Sequence, residues 1–310
     1  MNQNFTLAPV VLFVYNRYEH TKQTIEALQK NILAQESNLY IFSDGPKNDN
    51  AKESVHKVRN FIKDIDGFHN VTIIEREKNM GLADSIISGV TTTIEKYGKI
   101  IVLEDDLLTS KYFLEYMNNA LLTYKNREDI YSITGFSFST EFMNFPKEYQ
   151  NDIYVNIRPM SWSWATWEDR WEGLDWEIKD FNEFITNSSL KKAFNKGGSD
   201  LTRMLNNQMK GVINSWYIRW TYNAYKQKKL TVYPRVSYVN NIGHDITGTH
   251  CVEESNDIYS HTQLNDKTAT FNKEIELNAD IVKHFNKGFN TNYIRILKRK
   301  LKKLIYNFQR

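Results

Sequence analysis

The chain predicts an α/β fold: a mostly parallel sheet flanked by helices, then a mixed half, then an amphipathic C-terminal helix. Three observations predict it. Short apolar runs alternate with segments of helical periodicity through the first third, polar residues collect where each run ends, and aromatic residues crowd the stretch that follows. Strands separated by helices of about ten to fifteen residues form βαβ units on a parallel sheet.

The elements follow in order. Pro9 to Tyr15 (PVVLFVY) is a short apolar run, as expected of a strand buried on both faces. Glu19 to Lys30 has helical spacing, with Thr24, Ile25, Leu28 and Ile32 on one side. Asn38 to Ser43 (NLYIFS) is a second strand, closed by the turn signal Asp44-Gly45-Pro46. A helix over Ser54 to Ile65 leads to a third strand, Asn70 to Glu75. A helix from Gly81 to Tyr97, ended by Gly98, leads to a fourth strand, Lys99 to Leu103, and Ser110 to Tyr124 is helical again. Residues 131 to 180 are rich in aromatics: Trp162, Trp164, Trp167, Trp171 and Trp176. Residues 190 to 228 read as mostly helical, Leu230 to Tyr238 as a strand with an edge proline, and Asn240 to His250 as a glycine-containing loop. Residues 255 to 275 read as irregular. The organisation suggests divisions at 1–130, 131–255 and 256–310, with the first boundary a change of role more than a break.

Composition narrows the function classes. With 310 residues, 41% hydrophobic and 14% aromatic, the chain can bury a sizeable core. No run of eighteen apolar residues exists, so no transmembrane helix is expected. The stretch MNQNFTLAPVVLFVYNR has no basic n-region and no small-residue cleavage site, so no signal peptide is expected. The single cysteine, Cys251, allows no internal disulfide and fits a reducing, cytoplasmic setting. Net charge is +3, yet Tyr293 to Arg310 alone holds seven Lys/Arg and no acid, so the rest is mildly acidic. Nucleic acid is therefore not an expected partner.

The chemistry centres on IIVLEDDLL, residues 100 to 108. Four apolar residues run into three consecutive carboxylates, which repel one another unless a cation offsets them. Oxygen ligands suit Mg2+ or Mn2+, which take one or two protein carboxylates and complete their shell from phosphates. Neither GxxxxGK[ST] nor GxGxxG follows the first strand, so a bound diphosphate would be held mainly by the metal. That combination points to a nucleotide-sugar donor, with the metal acting as Lewis acid on the leaving diphosphate. The structural alternative is a solvated acidic turn capping the next helix.

The segments PVVLFVYNR, IFSDGPK, NMGLADSIISGV, IIVLEDDLLTSKYFLEYM, SWSWATWEDRW, SWYIRW and LTVYPRVSYVNNIGHDITGTH carry a resemblance. Together they resemble the GT-A-fold glycosyltransferases, most closely the branch of the N-acetylglucosaminyltransferases that start complex protein-linked glycans and related bacterial polysaccharide enzymes. The likeness spans roughly residues 8 to 251. It implies a nucleotide-sugar-binding half over 1–130, an acceptor-binding half over 131–255 and a C-terminal extension. Tyr15, Asn16, Arg17 and Asp44 would contact the nucleotide, and Asp84 the ribose or donor. Glu104 and Asp105 would lie near ribose and sugar, with Asp106 the direct metal ligand. His250, in the loop after the last strand, would be a second ligand, with His244 a weaker candidate. UDP is the expected base carrier, because an Asp after the second strand suits uracil N3–H.

On the acceptor side, aromatic faces stack on sugar C–H surfaces. Trp162 and Trp164 alternate along an extended stretch and would point the same way, lining the sugar site; Trp167, Trp171, Trp216 and Trp220 read as core. The resemblance implies a glycan or lipid-linked saccharide as acceptor and an inverting transfer, which needs a general base. In the N-acetylglucosaminyltransferases an acidic pair before a tryptophan supplies it, but Asn214-Ser215-Trp216 has no acid. A β-1,4-galactosyltransferase-like pattern points instead to Glu168 or Asp169, and Asp245 beside the closing loop is the third candidate. In the tail, Ile294, Leu297, Leu301, Leu304, Ile305 and Phe308 form one stripe with basic residues opposite. Such a helix can lie on an anionic membrane, or dock on protein. Competing readings are a nucleotidyltransferase, which would want a basic Gly-rich grip on a triphosphate, and a carbohydrate-binding protein that has lost catalysis.

Overall fold

A computed structural model describes residues 6–243 and 264–289. The first third follows the predicted alternation: β1 (Val10–Val14), α1 (Tyr18–Gln29), β2 (Asn38–Ser43), α2 (Lys52–Ile62), β3 (Asn70–Glu75), α3 (Leu82–Tyr97) and β4 (Lys99–Glu104). A three-residue strand that the sequence reading missed, β5 (Leu107–Thr109), precedes α4 (Phe113–Thr123), β6 (Ile130–Thr134) and a single helical turn, α5 (Thr140–Met143). Then come β7 (Ile153–Asn156), β8 (Trp164–Trp167) and the short helices α6 (Glu168–Trp171), α7 (Phe181–Thr186) and α8 (Ser188–Phe194). The described residues close with α9 (Leu201–Met209), α10 (Trp216–Lys226), β9 (Leu230–Pro234), β10 (Val239–Asn241) and α11 (Ala279–Asn286). Of the stretch 255–275 read as irregular, the described part, residues 264 to 275, forms no helix or strand.

Among the described residues, eight strands form one sheet in the order β3-β2-β1-β4-β8-β6-β9-β7. β1 to β4 are mutually parallel, β8 runs antiparallel to both β4 and β6, β9 is parallel to β6, and β7 closes the edge antiparallel to β9. The sheet thus draws strands from both sides of residue 130. Pro234 is not on an edge strand: it is the last residue of β9, paired with Ile153, where the missing N–H costs the ladder little.

The run VVLFV is apolar throughout because both faces of β1 are covered. Val10, Leu12 and Val14 join one core with Ile25 and Leu28 of α1 and Met117 and Leu121 of α4. Val11 and Phe13 join a second core with Ile86 and Val90 of α3 and Trp216 and Trp220 of α10. β4 splits the same way, with Ile101 and Leu103 on one side and Ile100 and Val102 on the other. A third cluster, including Phe184, Phe194, Leu205 and Tyr222, packs α7 to α9 against α10. Among the described residues no helix is long and apolar enough to cross a membrane. The basic tail 293–310 and Cys251 lie outside the described residues.

Candidate active site

The parallel strands β1 to β4 all end on one side of the sheet, and there the charged groups converge. β4 stops at Glu104, and the chain turns through Asp105 and Asp106 into β5, which pairs with β10. The turn is clamped by its neighbours: Thr24 Oγ1 of α1 donates to the Asp105 carbonyl at 3.0 Å, and Ile242 N to the Asp106 carbonyl at 2.9 Å. Arg17, the N-cap of α1, reaches across from the end of β1. Its Nη2 donates to Asp105 Oδ1 and, at 2.8 Å, to Asp106 Oδ2.

Desolvation, reinforced by Asp106 and Asp105, pushes the Glu104 carboxyl up to about 8. Desolvation raises Asp105 to about 6, with Arg17 opposing and Asp106 adding to the rise. Burial works against the charge of Arg17, yet Asp105 and Asp106 hold its guanidinium more firmly protonated than usual. The carboxyl groups of the turn thus resist sharing negative charge, a repulsion that a bound cation would relieve. Among the described residues no three acidic, histidine or cysteine side chains gather to form a complete metal shell. Asp105 and Asp106 do converge on one cationic atom, and two carboxylates fit a hard divalent ion that takes its other ligands from phosphate and water.

Asp44, at the end of β2, is 6% exposed. Its carboxylate accepts from the backbone N–H of Gly45 (3.0 Å), Met80 (2.9 Å) and Gly81 (3.0 Å). It thereby ties the β2 end to the start of α3. Gly45 must be glycine for a packing reason: a Cβ there would lie 2.5 Å from the Lys78 carbonyl carbon. Asn79 Nδ2 donates to Gly45 O at 2.8 Å, so the sequences DGP and KNMG form one interlocked floor. Tyr15 joins it, its hydroxyl accepting from Lys47 N at 3.0 Å. Tyr15, Asn16, Arg17, Asp44, Glu104, Asp105 and Asp106 are thus at one end of the parallel strands, as expected. Asp84 is exposed in the first turn of α3, near enough to Arg219 of α10 to favour that guanidinium's charge against its burial.

Two arginines that the sequence reading did not single out complete this end. Arg59 pairs with Glu75 at 3.4 Å and donates to the carbonyls of Ser43, Asp44 and Arg76. Arg76 donates to Ser85 O and Ser88 Oγ and lies over the Phe42 ring at 5.4 Å. Its Nη1 is buried with no hydrogen-bond partner. Burial lowers its pKa, with Asp44 opposing. The only sequence signal was a lone Arg just past a strand, which is too common to single out.

The tryptophans divide differently from the expectation. Ser163 adopts φ 48°, in the left-handed region, and breaks the alternation that would have put Trp162 and Trp164 on one side. Trp164 is 1% exposed and stacks on Trp171 and Trp216 in the second core, so it lines no sugar site. Trp162 is half-buried on the opposite side, edge-on to Phe136 at 4.8 Å. The register pairing Val102 with Trp164 carries Trp162 towards the carboxyl end of β4, the charged end.

Glu168 and Asp169 are not at that end. Because β8 runs antiparallel to β4, Trp167 pairs with Lys99, and Glu168 N donates to Gly98 O at 3.0 Å. They sit at the start of β4, roughly 16 Å of strand from Glu104, around a hollow of about 410 Å³ lined also by Lys125 and Trp167. Asp169 pairs with Arg170 at 2.6 Å. Neither can serve as base at the acidic turn, and Glu168→Gln is expected to leave the rate of transfer within about twofold, measured by release of nucleoside diphosphate. Asn214 and Ser215 also have structural partners: Asn214 Oδ1 accepts from Arg219, and Ser215 caps α10. His244, Asp245 and His250 lie outside the described residues, which break off at Gly243 and resume at residue 264. Gly243 lies against the acidic turn; a Cβ there would stand 2.2 Å from Asp106 Oδ2.

Glycosyl transferase family 2 matches this chain over residues 10–188, more than half its length. Among curated proteins none matches. Similar solved structures include GalNAc-T7 with UDP, GalNAc and Mn2+, at 11% identity over 81% of this chain and 46% of that one, with a TM-score of 0.48. A mannosyltransferase from Pyrobaculum calidifontis in complex with GDP-Man and Mn2+ is 10% identical over 54% and 49% of the two chains, with a TM-score of 0.35. S. aureus TarS is 12% identical over 75% and 36%, with a TM-score of 0.36. The chain spans less than half the length of each of these three.

Proposed function

This chain belongs to glycosyl transferase family 2, and we propose that it moves a sugar, with inversion, from a nucleoside diphosphate sugar to a glycan or lipid-linked saccharide acceptor. UDP is the proposed nucleotide. The observation that carries the reading is the convergence of Asp105 and Asp106 on one cationic atom at the carboxyl end of the parallel strands. Ligands of such sheets bind beyond that end.

Asp106 and Asp105 would hold a divalent cation there, Mn2+ or Mg2+. When bound, that ion neutralises charge developing on the leaving diphosphate. Around it, the chain's own residues do the rest. Asp44 fixes the floor formed by Gly45, Met80 and Gly81, on which the nucleotide rests. Trp162 gives the sugar or acceptor an aromatic face.

With Glu168 and Asp169 removed from the site, Asp245 is the remaining base candidate, two residues beyond Gly243 in sequence. Asp245→Asn is expected to lower kcat by about 10²–10⁴-fold while leaving nucleotide-dependent thermal stabilisation intact. An Asp245→Asn enzyme with full kcat would remove Asp245 from the mechanism.

A further inference from the structure

Arg17 occupies the two carboxylates that would hold the metal. Its Nη2 touches a carboxylate oxygen of both Asp105 and Asp106, the two groups proposed above to hold the divalent ion. Among the described residues no other Lys or Arg pairs with either carboxylate. The arginine's backbone is fixed: its carbonyl accepts from Thr21 N and Thr21 Oγ1, both at 2.9 Å. Its side chain is 23% exposed, so the guanidinium borders open space while its root is held. The turn is closed on another side by backbone. A Cβ at Gly243 would lie 2.2 Å from Asp106 Oδ2 and 3.1 Å from Arg17 Nη1.

A guanidinium on these oxygens competes with a divalent cation for them, because both are positive and both draw on the same two carboxylates. Without a metal, the arginine relieves the repulsion between adjacent buried carboxylates. With a metal, the same arginine is repelled and needs a new anion. A diphosphate is the anion that the proposed reaction brings, and a planar five-donor fork suits phosphate oxygens.

We propose that Arg17 is an internal counter-ion that a divalent cation must displace from Asp105 and Asp106, and that the displaced guanidinium then pairs with the donor's diphosphate. Metal and donor therefore bind as one coupled event. Metal alone binds weakly because it must evict Arg17 into solvent. Metal with nucleotide binds well because eviction ends in a new ion pair. The inference rests on the glycosyltransferase reading and adds to it an order of events.

The test is Mn2+ binding followed by electron paramagnetic resonance of the free ion, on the full chain, for wild type, Arg17→Met and Arg17→Lys. Circular dichroism checks that each variant is folded. Arg17→Met is expected to bind Mn2+ alone about tenfold more tightly than wild type, a coupling of ordinary size. Arg17→Lys, which keeps the charge, is expected to stay near wild type. Adding UDP or GDP is expected to tighten Mn2+ binding in wild type and much less in Arg17→Met. Equal or weaker Mn2+ binding by Arg17→Met, with wild type still binding Mn2+ and nucleotide together, overturns the counter-ion role and leaves the glycosyltransferase reading standing. Absence of Mn2+ binding in every variant, with or without nucleotide, overturns both.

Discussion

Asp106→Asn is expected to lower donor turnover by at least about 10³-fold, the scale lost when a principal charge-stabilising group is removed. Release of nucleoside diphosphate from the sugar donor in the presence of Mn2+ measures it. The substitution removes one negative charge from a cluster in which Asp106 raises both neighbouring carboxyl groups. Arg17 retains its contact with Asp105. The variant should therefore melt no lower than wild type, and its lost activity cannot be attributed to unfolding. An Asp106→Asn protein that turns over donor at the wild-type rate would show that the acidic turn is not the metal site.

Trp164→Ala is expected to cost roughly 3–5 kcal/mol of stability. Trp164 is 1% exposed and is enclosed by Trp171, Trp216 and Trp220, with ring centroids 5.5, 5.2 and 4.6 Å away. The cavity cannot close easily, because its walls come from β8, α6 and α10, each held by its own contacts. Trp162→Ala gives the contrast. It should cost less stability, because the ring is half-buried, and should raise the acceptor KM if the ring faces sugar. Denaturant midpoints measured on the two variants check the pair. Equal midpoints would contradict the division of the two tryptophans between opposite sides of the sheet.

The parallel half of the fold was legible because its signals are local. Runs such as VVLFV and IIVL are apolar on both faces, and the helices between them carry the spacing of their own buried stripes. Given the parallel order, the carboxyl ends had to gather, so Arg17, Asp44 and the acidic turn could be placed together from spacing alone. The later half was less legible because its geometry depends on strand direction. Nothing in WSWATWEDRW says that β8 is inserted antiparallel beside β4, and that one fact carries Glu168 to the wrong end. One backbone angle, at Ser163, undid the alternation that would have made Trp162 and Trp164 neighbours. Asp44 shows a subtler gap. The turn reading before Gly45 was right as to place, but the three backbone N–H groups that its carboxylate receives come partly from Met80 and Gly81, far away in sequence. Arg76 was invisible for the same reason: its surroundings are assembled from β2, β3 and α3.

On the reading proposed here, the acidic turn, Arg17 and the Asp44 floor form a metal-dependent nucleotide site. Thermal stabilisation tests it most directly, since a ligand that binds only the folded chain raises its melting temperature. UDP, GDP, dTDP and CMP would each be tried with and without Mn2+, on wild type and on Asp106→Ala. One nucleoside diphosphate, UDP, is expected to raise the melting temperature only when Mn2+ is present, and the rise is expected to disappear in Asp106→Ala. Stabilisation that persists in Asp106→Ala, or no stabilisation by any nucleotide in wild type, would contradict it.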